Sequence, residues 1–203
     1  MAVERIHDDP AGAAALIAAG GRLDRHSVAM VLDLTDATPN QPLPAGFAIA
    51  PMHAGRSSEY GELVVRAYPP EHPDHEPADA DPASAAESIL GYLRGDQIGP
   101  WIAEASLHVT DHADRVLGVI VVNETAASEA FAAGPFVTDV CVDPAASGQG
   151  LGAALLLASA DRLAGLGRST LALAVTVGNP AQRLYERLGF RVAAESWRIE
   201  IAG

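Results

Sequence analysis

Basic residues are scarce in this sequence, which has 13 Lys plus Arg against 26 Asp plus Glu and a formal net charge of −13. Proteins that bind nucleic acid need clustered Lys and Arg to neutralise phosphates, so a nucleic-acid partner is not expected. The acidic balance favours a cationic partner such as an amine, while a requirement for solubility alone also explains it.

Cysteine and long apolar runs are nearly absent as well. The single cysteine, Cys141, excludes a disulfide framework and a cysteine-based zinc site, and its place between two valines predicts a buried, unreactive thiol. No run reaches the roughly 18 apolar residues of a membrane-spanning helix. The apolar stretch 11–21 follows Asp8 and Asp9 rather than basic residues, unlike a signal peptide. We therefore expect a cytoplasmic protein without a membrane partner.

The most informative stretch joins an apolar strand to a glycine turn and a helix. Phe136–Val142 predicts a buried strand, and Asp143-Pro144 ends it because proline cannot donate to a β-ladder. Gly148, Gly150 and Gly152 then lead into a helix rich in alanine and leucine. Glycine permits positive φ, and the first amides of a helix lack partners and carry the positive end of its dipole. This order of elements predicts a phosphate-binding site.

The same glycines also fit the loose dinucleotide pattern G-x-G-x-x-A, but their context does not. In that motif the first glycine directly follows the strand, whereas residues 143–147 intervene here. The motif also requires an acidic residue about 20 positions on, and the next strand, 170–177, has none. A P-loop is excluded because no Gly-Lys-Ser/Thr follows the glycines. A dinucleotide oxidoreductase is therefore the weaker reading.

A second motif lies downstream, where the sequence reads Gly-Asn-Pro-Ala-Gln-Arg-Leu-Tyr-Glu-Arg-Leu-Gly-Phe from residue 178. Together with the glycine turn it resembles the GNAT superfamily of acyl-CoA-dependent N-acetyltransferases. The family has a turn of the form Gln/Arg-x-x-Gly-x-Gly/Ala, matched at Gly150 and Gly152 and replaced at its first position by Ser147. The downstream matches are Asn179, Ala181, Tyr185, Gly189 and Phe190.

The resemblance covers about residues 46–201 and implies the fold and the cofactor. The fold would be α/β, a mixed GNAT-type sheet flanked by helices with splayed central strands, and acetyl-CoA would be the co-substrate. The helix-start amides would hold its pyrophosphate, the strand would hold its pantetheine arm, and Tyr185 would be the general acid. The implied cofactor-binding residues are Val140, Cys141, Val142, Gly148, Gln149, Gly150, Leu151, Gly152, Ala153 and Asn179.

The general base is not visible as a motif. Asp139 on the central strand, Glu104 on the preceding hairpin strand 101–109 and Glu124 after its partner strand 116–122 are candidates, as is a chain of water molecules. Strand alternation predicts that Asp139 and Val140 do not both face the cleft. Each carboxylate has an ordinary surface explanation too, and no metal is expected.

Residues 1–45 precede the family's usual first strand and predict an N-terminal helix–strand arm plus a linker, with the acetyltransferase domain over 46–203. Pro10–Ala19 predicts a helix, Ser27–Leu34 a strand, and Thr38–Pro44 a proline-rich linker. The segment around Gly20 aligns with the segment around Gly189 at one constant offset. The arm is therefore either a remnant of a first GNAT-like repeat or a chance similarity.

The acceptor carries no recognisable signature in the sequence. The proline-rich loop 69–82 holds two histidines and five acids, which suits a solvated loop, a metal site or a gate for a cationic acceptor. With 126–133 and the hairpin turns it would choose the acceptor, a primary amine of an unidentified small molecule or peptide. The alternative function is a GNAT-fold module that binds acyl-CoA without transfer. The sequence leaves the oligomeric state open, and a homodimer is one option because many members of the family pair as dimers.

Overall fold

Eight strands form one mixed sheet in the computed structural model, which describes residues 2–35, 43–127 and 132–201. The strand order is β1-β8-β2-β7-β6-β5-β4-β3. The strands are β1 Ala2–His7, β2 Arg22–Asp33, β3 Phe47–Pro51, β4 Leu107–Asp111, β5 Val116–Thr125, β6 Gly134–Val142, β7 Thr170–Thr176 and β8 Arg191–Ile201. The α-helices are α1 Pro10–Ala18, α2 Ser57–Ala67, α3 Pro82–Arg94, α4 Leu151–Gly165 and α5 Ala181–Arg187.

Helices cover both faces of the sheet, and β5 shows why. Its run of aliphatic residues is buried on both sides, because successive side chains of a strand point to opposite faces. Ile120 and Val122 pack in the cluster that contains α4 and α5, whereas Val119 and Val121 pack in the cluster that contains α2 and α3. The predicted α/β sheet flanked by helices is confirmed.

The centre of the sheet is open. Strands β6 and β7 run parallel, and within the described residues their only ladder pair joins Phe136 to Ala172. Beyond that pair the two strands diverge, so the β7-facing edge of β6 lacks a ladder partner. The predicted splaying of the central strands is confirmed.

The N-terminal arm is built into the sheet rather than laid beside it. Strand β2 lies between β7 and β8 and pairs antiparallel with both, and β1 pairs with β8. The predicted helix and strand are both present, whereas β1 carried no signal that we recognised in the sequence. Most of the predicted linker, residues 38–42, falls outside the described residues.

The arm and the chain end are related by a local two-fold pattern. The alignment that equates Gly20 with Gly189 also equates β1 with β7, α1 with α5 and β2 with β8. Both glycines have positive φ, 100° and 96°. Ser27 and Ser196, equated by the same alignment, face each other in the β2–β8 ladder, as residues beside a two-fold axis must.

The hairpin strand predicted from Trp101 begins later, at Leu107. Residues 102–106 form a tight turn instead, in which the amides of Ala105 and Ser106 both donate to the carbonyl of Ile102. The buried Ser106 hydroxyl donates to that carbonyl as well and accepts from the Val122 amide. These bonds satisfy the backbone of the turn without a ladder.

Candidate active site

A cavity of about 990 Å³ runs along the open edge of β6, between the start of α4 and the loop that follows α2. It brings together the two sequence motifs, because the glycine turn lies at one end of β6 and α5 follows β7. Nine of the ten implied cofactor residues line it, and Gln149 lies on the exposed part of the turn. These nine are Val140, Cys141, Val142, Gly148, Gly150, Leu151, Gly152, Ala153 and Asn179.

The glycine turn presents an uncapped helix start to this cavity. Gly148 and Gly150 have φ values of 77° and 80°, a conformation that favours glycine because it has no Cβ. Gly150 is the N-cap residue of α4, and no described side chain caps the helix. The first amides of α4 are therefore available to an anion, and the helix dipole adds positive potential. This donor set fits the pyrophosphate of acetyl-CoA.

Tyr185 projects from α5 into the same cavity. Its side chain is 7% exposed, and its ring packs against Phe190 with centroids 5.8 Å apart. No described residue hydrogen-bonds to its hydroxyl, which leaves the O–H available to a ligand. Burial, followed by the charges of Asp74 and Asp139, raises the pKa of Tyr185 above its usual value, so the phenol stays protonated.

Asp139 lies half-buried in the cavity wall, on β6. Burial raises the pKa of its carboxyl from 3.8 to about 6, against the opposing effect of a hydrogen bond from Tyr68. The Tyr68 hydroxyl lies 2.8 Å from Oδ1 of Asp139. A carboxyl with this pKa is largely ionised at neutral pH yet a stronger base than an ordinary aspartate.

Asp139 and Val140 both border the cavity, but their side chains lie on opposite faces of the sheet, as strand alternation predicts. Asp139 contacts Tyr68, which packs in the cluster of α2 and α3, whereas Val140 packs in the cluster of α4 and α5. The ladder with β5 shifts register between Val121–Asp139 and Val122–Val137, which leaves Thr138 as an extra residue in β6. Such a bulge bends the strand, and because it lies before Asp139 it leaves the alternation of Asp139 and Val140 undisturbed. The cavity also follows the unpaired edge of β6, where backbone atoms contribute to its wall.

The other two candidate bases lie outside the cavity lining. Glu104 is exposed on the turn that replaces the predicted strand, and its carbonyl accepts from Arg162 of α4. Glu124 forms an ion pair with Arg168. Both carboxylates therefore stand away from Tyr185 and the glycine turn, and of the three only Asp139 lines the cavity.

Asn179 has both ends of its amide engaged by the protein. Its Oδ1 accepts from the Ala181 amide at 2.8 Å, and its Nδ2 donates to Oδ2 of Asp74. Oδ1 of Asp74 also accepts from the Thr176 amide at 3.3 Å. Each of these bonds uses half of what that end of the amide can form, so one Nδ2 proton and one Oδ1 lone pair remain for a pantetheine arm.

The loop 69–82 folds over the cavity instead of standing in solvent. Asp74, Glu76 and Asp79 all contribute to its lining, and Arg25 of β2 pairs with Glu76 at 2.8 Å. Among the described residues no group of three or more His, Cys, Asp and Glu could hold a metal ion. Sequence reasoning missed Arg25 as a support of this loop, because β2 and the loop are distant in the chain.

Cys141 is buried, as predicted, and burial raises the pKa of its thiol well above the usual value, so it is not a nucleophile. Residues 128–131 of the connection expected to contact the acceptor lie outside the described residues. Across the ranges that the structure covers, no helix has the length and apolar character needed to cross a membrane.

Sequence and structure comparisons agree with this geometry. A family model described as "Acetyltransferase (GNAT) domain" matches residues 101–192. A mycothiol acetyltransferase of Clavibacter michiganensis subsp. michiganensis is 33% identical over 196 residues, which is 93% of this chain and 58% of the relative. The chain thus spans well under two thirds of that relative's length.

Solved structures share the fold. A GCN5-related N-acetyltransferase from Sphaerobacter thermophilus superposes with a TM-score of 0.73 at 20% identity, over 97% of this chain and 58% of that one. A tandem GNAT protein from the clavulanic acid biosynthesis pathway gives a TM-score of 0.64 at 17% identity, over 97% and 62%. The matched domain, the sheet with its splayed centre and the named relatives agree, and the chain contains an acetyltransferase domain of the GNAT type.

Proposed function

We propose that this protein transfers an acetyl group from acetyl-CoA directly to a primary amine of a small molecule. One observation carries the proposal: a single cavity contains an uncapped helix start, an unpaired strand edge, a protonated tyrosine and a carboxylate. Amide formation from an amine and a thioester needs an anchored thioester, a neutral amine and a proton for the departing thiolate. Each requirement has a group in this cavity.

The cofactor would lie along β6. Acetyl-CoA supplies the acetyl thioester when it is bound. The amides at the start of α4 would hold its pyrophosphate, and the backbone of Val140–Val142 would bond its pantetheine arm as an added strand bonds a sheet edge. Ser147 stands where the family has Gln or Arg, so the backbone amides carry this contact without that side chain.

Asp139 and Tyr185 divide the proton transfers. Asp139 would remove a proton from the acceptor ammonium, which frees the nitrogen lone pair for attack on the thioester carbonyl. As the C–N bond forms and the C–S bond breaks, Tyr185 would donate its phenolic proton to the departing sulfur. The nitrogen would lose its second proton to the Tyr185 phenolate, and Asp139 would release its proton to water.

The acceptor is proposed to be cationic. Asp74, Glu76, Asp79 and Asp139 line the cavity, and their combined charge favours an ammonium group over a neutral or anionic acceptor. The curated relatives are named mycothiol acetyltransferases, which makes a mycothiol-related primary amine the first acceptor to test. A peptide amine is the second choice, because the relatives named here point to a small molecule.

The test is free-thiol release from acetyl-CoA over a panel of amines that includes mycothiol-related ones. Tyr185→Phe should lower turnover by about 10²–10⁴-fold, as loss of a general acid does, and leave acetyl-CoA affinity unchanged. Tyr92→Phe is the matched control, because Tyr92 lines the same cavity. Full turnover in Tyr185→Phe would contradict the acid role. Acetyl-CoA binding without thiol release on any amine would favour the alternative, a binding module.

We also infer that residues 1–45 are a remnant of a first GNAT-like repeat, followed by an acetyltransferase domain over 46–203. The support is the correspondence of β1-α1-β2 with β7-α5-β8 and the facing pair Ser27 and Ser196. A chance similarity has no reason to place equated residues opposite each other. Grafting β7-α5 residues onto β1-α1 should therefore be tolerated, and an unfolded graft would count against the inference.

A further inference from the structure

Tyr68 stands at the end of α2, immediately before the loop that covers the cavity. Its hydroxyl lies 2.8 Å from Oδ1 of Asp139 and 3.0 Å from the carbonyl oxygen of Val140. A phenol has one proton to donate and can accept at its oxygen. It can therefore donate to only one of these two acceptors at a time, and the choice depends on the protonation state of Asp139.

The two protonation states of Asp139 call for different hydrogen bonds. The carboxylate is only an acceptor, so Tyr68 donates to it. A carboxyl that carries its proton on Oδ1 is a donor at that atom and can bond the Tyr68 oxygen, which turns the phenolic proton towards Val140. The Tyr68 hydroxyl and Oδ1 of Asp139 stay hydrogen-bonded in both states with the heavy atoms in place, and loss of that bond in a buried site would be costly.

We propose that Tyr68 is a positioning residue for the acetyl transfer, which holds Asp139 and exchanges its hydrogen-bond partner when Asp139 takes up the acceptor's proton. The inference rests on the proposed function, in which Asp139 is the base. The proton moves from the ammonium nitrogen to a carboxylate oxygen of Asp139, and the Tyr68 O–H bond only rotates.

The surroundings of Tyr68 hold its ring in place for this role. The His72 ring packs edge-on against it with centroids 4.9 Å apart, the Tyr68 amide donates to the Val64 carbonyl at 2.8 Å, and the Tyr68 carbonyl bonds Nδ1 of His75 at 2.8 Å. Burial, and next the charge of Asp139, raises the pKa of Tyr68 well above its usual value, so it remains a donor. Tyr185, by contrast, keeps its hydroxyl free for the departing group.

Several other titratable groups share the field around Asp139, and none bonds it directly. The groups that act on its carboxyl or respond to its charge are Asp74 and Asp79 of the loop, Tyr92 of α3, Cys141 of β6 and Tyr185 of α5, besides Tyr68. The two aspartates raise the pKa of Asp139 by repulsion, and the hydrogen bond from Tyr68 lowers it. Tyr68 is therefore the group whose removal should move Asp139 most sharply.

The experiment compares Tyr68→Phe with Tyr92→Phe, which removes a hydroxyl from the same cavity without touching Asp139. The readout is the pH dependence of kcat/KM, together with direct titration of the Asp139 carboxyl by ¹³C NMR. Loss of a hydrogen bond to a charged group shifts the pKa of that group by about one to two units. In Tyr68→Phe the acidic limb of kcat/KM and the NMR midpoint of the Asp139 carboxyl should therefore both rise by that much. Tyr92→Phe should leave both near their wild-type positions.

The outcomes separate this inference from the function on which it rests. If the NMR midpoint of the Asp139 carboxyl is unchanged in Tyr68→Phe, the inference is overturned. It is also overturned if that midpoint rises while the acidic limb of kcat/KM stays in place, because Tyr68 would then bond Asp139 without serving the transfer. If wild-type protein releases no thiol with any amine, the proposed function fails, whatever the NMR titration gives. Phe keeps the ring, and a cooperative melting transition in each variant confirms that both fold.

Discussion

Replacement of Asp139 by Asn should stabilise the protein at neutral pH and leave its stability unchanged in acid. The carboxyl is held in a cavity wall where burial penalises its charged form, which raises its pKa from 3.8 to about 6. Asn has nearly the same shape and no charge, and its oxygen can still accept from Tyr68. The substitution therefore removes the cost of the buried charge and little else.

The sign and size of the effect follow from proton linkage. The folded protein holds the Asp139 proton more tightly than the unfolded chain, so stability falls as pH rises from about 4 to about 6. A difference of about two pKa units corresponds to on the order of 3 kcal/mol at neutral pH, as an upper value. For a domain of this size that is roughly 6–12 °C in melting temperature, because each kcal/mol shifts it by about 2–4 °C.

Melting temperatures of the wild type and Asp139→Asn, measured at pH 4 and at pH 7.5, provide the assay. The two melting temperatures should be equal at pH 4, and at pH 7.5 that of Asp139→Asn should be higher. Asp161→Asn, which changes an exposed acid of α4, is the control and should follow the wild type at both pH values. A gap that is the same at both pH values would refute the reasoning, because the difference would then arise from packing rather than from charge.

Two further predictions concern the glycine turn and the loop. Gly150→Ala should cost about 1–2 kcal/mol of unfolding free energy in denaturant, because φ is 80° there. Gly152→Ala should raise the free energy of unfolding by up to about 1 kcal/mol, because a Cβ in this helical position meets its nearest side-chain atoms only at 3.6 and 3.7 Å. Equal effects at the two positions would contradict this account. Asp74→Ala should tighten acetyl-CoA binding in calorimetry by freeing the Nδ2 proton of Asn179 that Asp74 holds, and should change nothing once Asn179→Ala is present. Weaker binding in both backgrounds would show that the loop supports the cofactor site instead.

Local patterns in the sequence determined much of this molecule. Gly148 and Gly150 predict positive φ, because no other residue adopts it so readily. The alanines and leucines that follow predict the helix. The spacing of Asn179, Tyr185 and Gly189 placed a phenol after the second central strand, and the structure puts that phenol in the cavity. Each of these features depends on neighbours a few residues away.

Long-range pairing decided the rest. No local pattern indicates that β2 inserts between β7 and β8, because a strand's partners are chosen by edges that lie far away in the chain. The same holds for Tyr68, which meets Asp139 only once α2 packs on the sheet, and for Asp74, which occupies the amide of Asn179. Glu104 was a candidate base by sequence, but the tight turn that contains it places it on the exposed surface, away from the cavity. The sequence alone therefore determined the glycine turn and the position of the Tyr185 phenol, whereas the surroundings of Asp139, including its contact with Tyr68, depend on pairings that exist only in the folded chain.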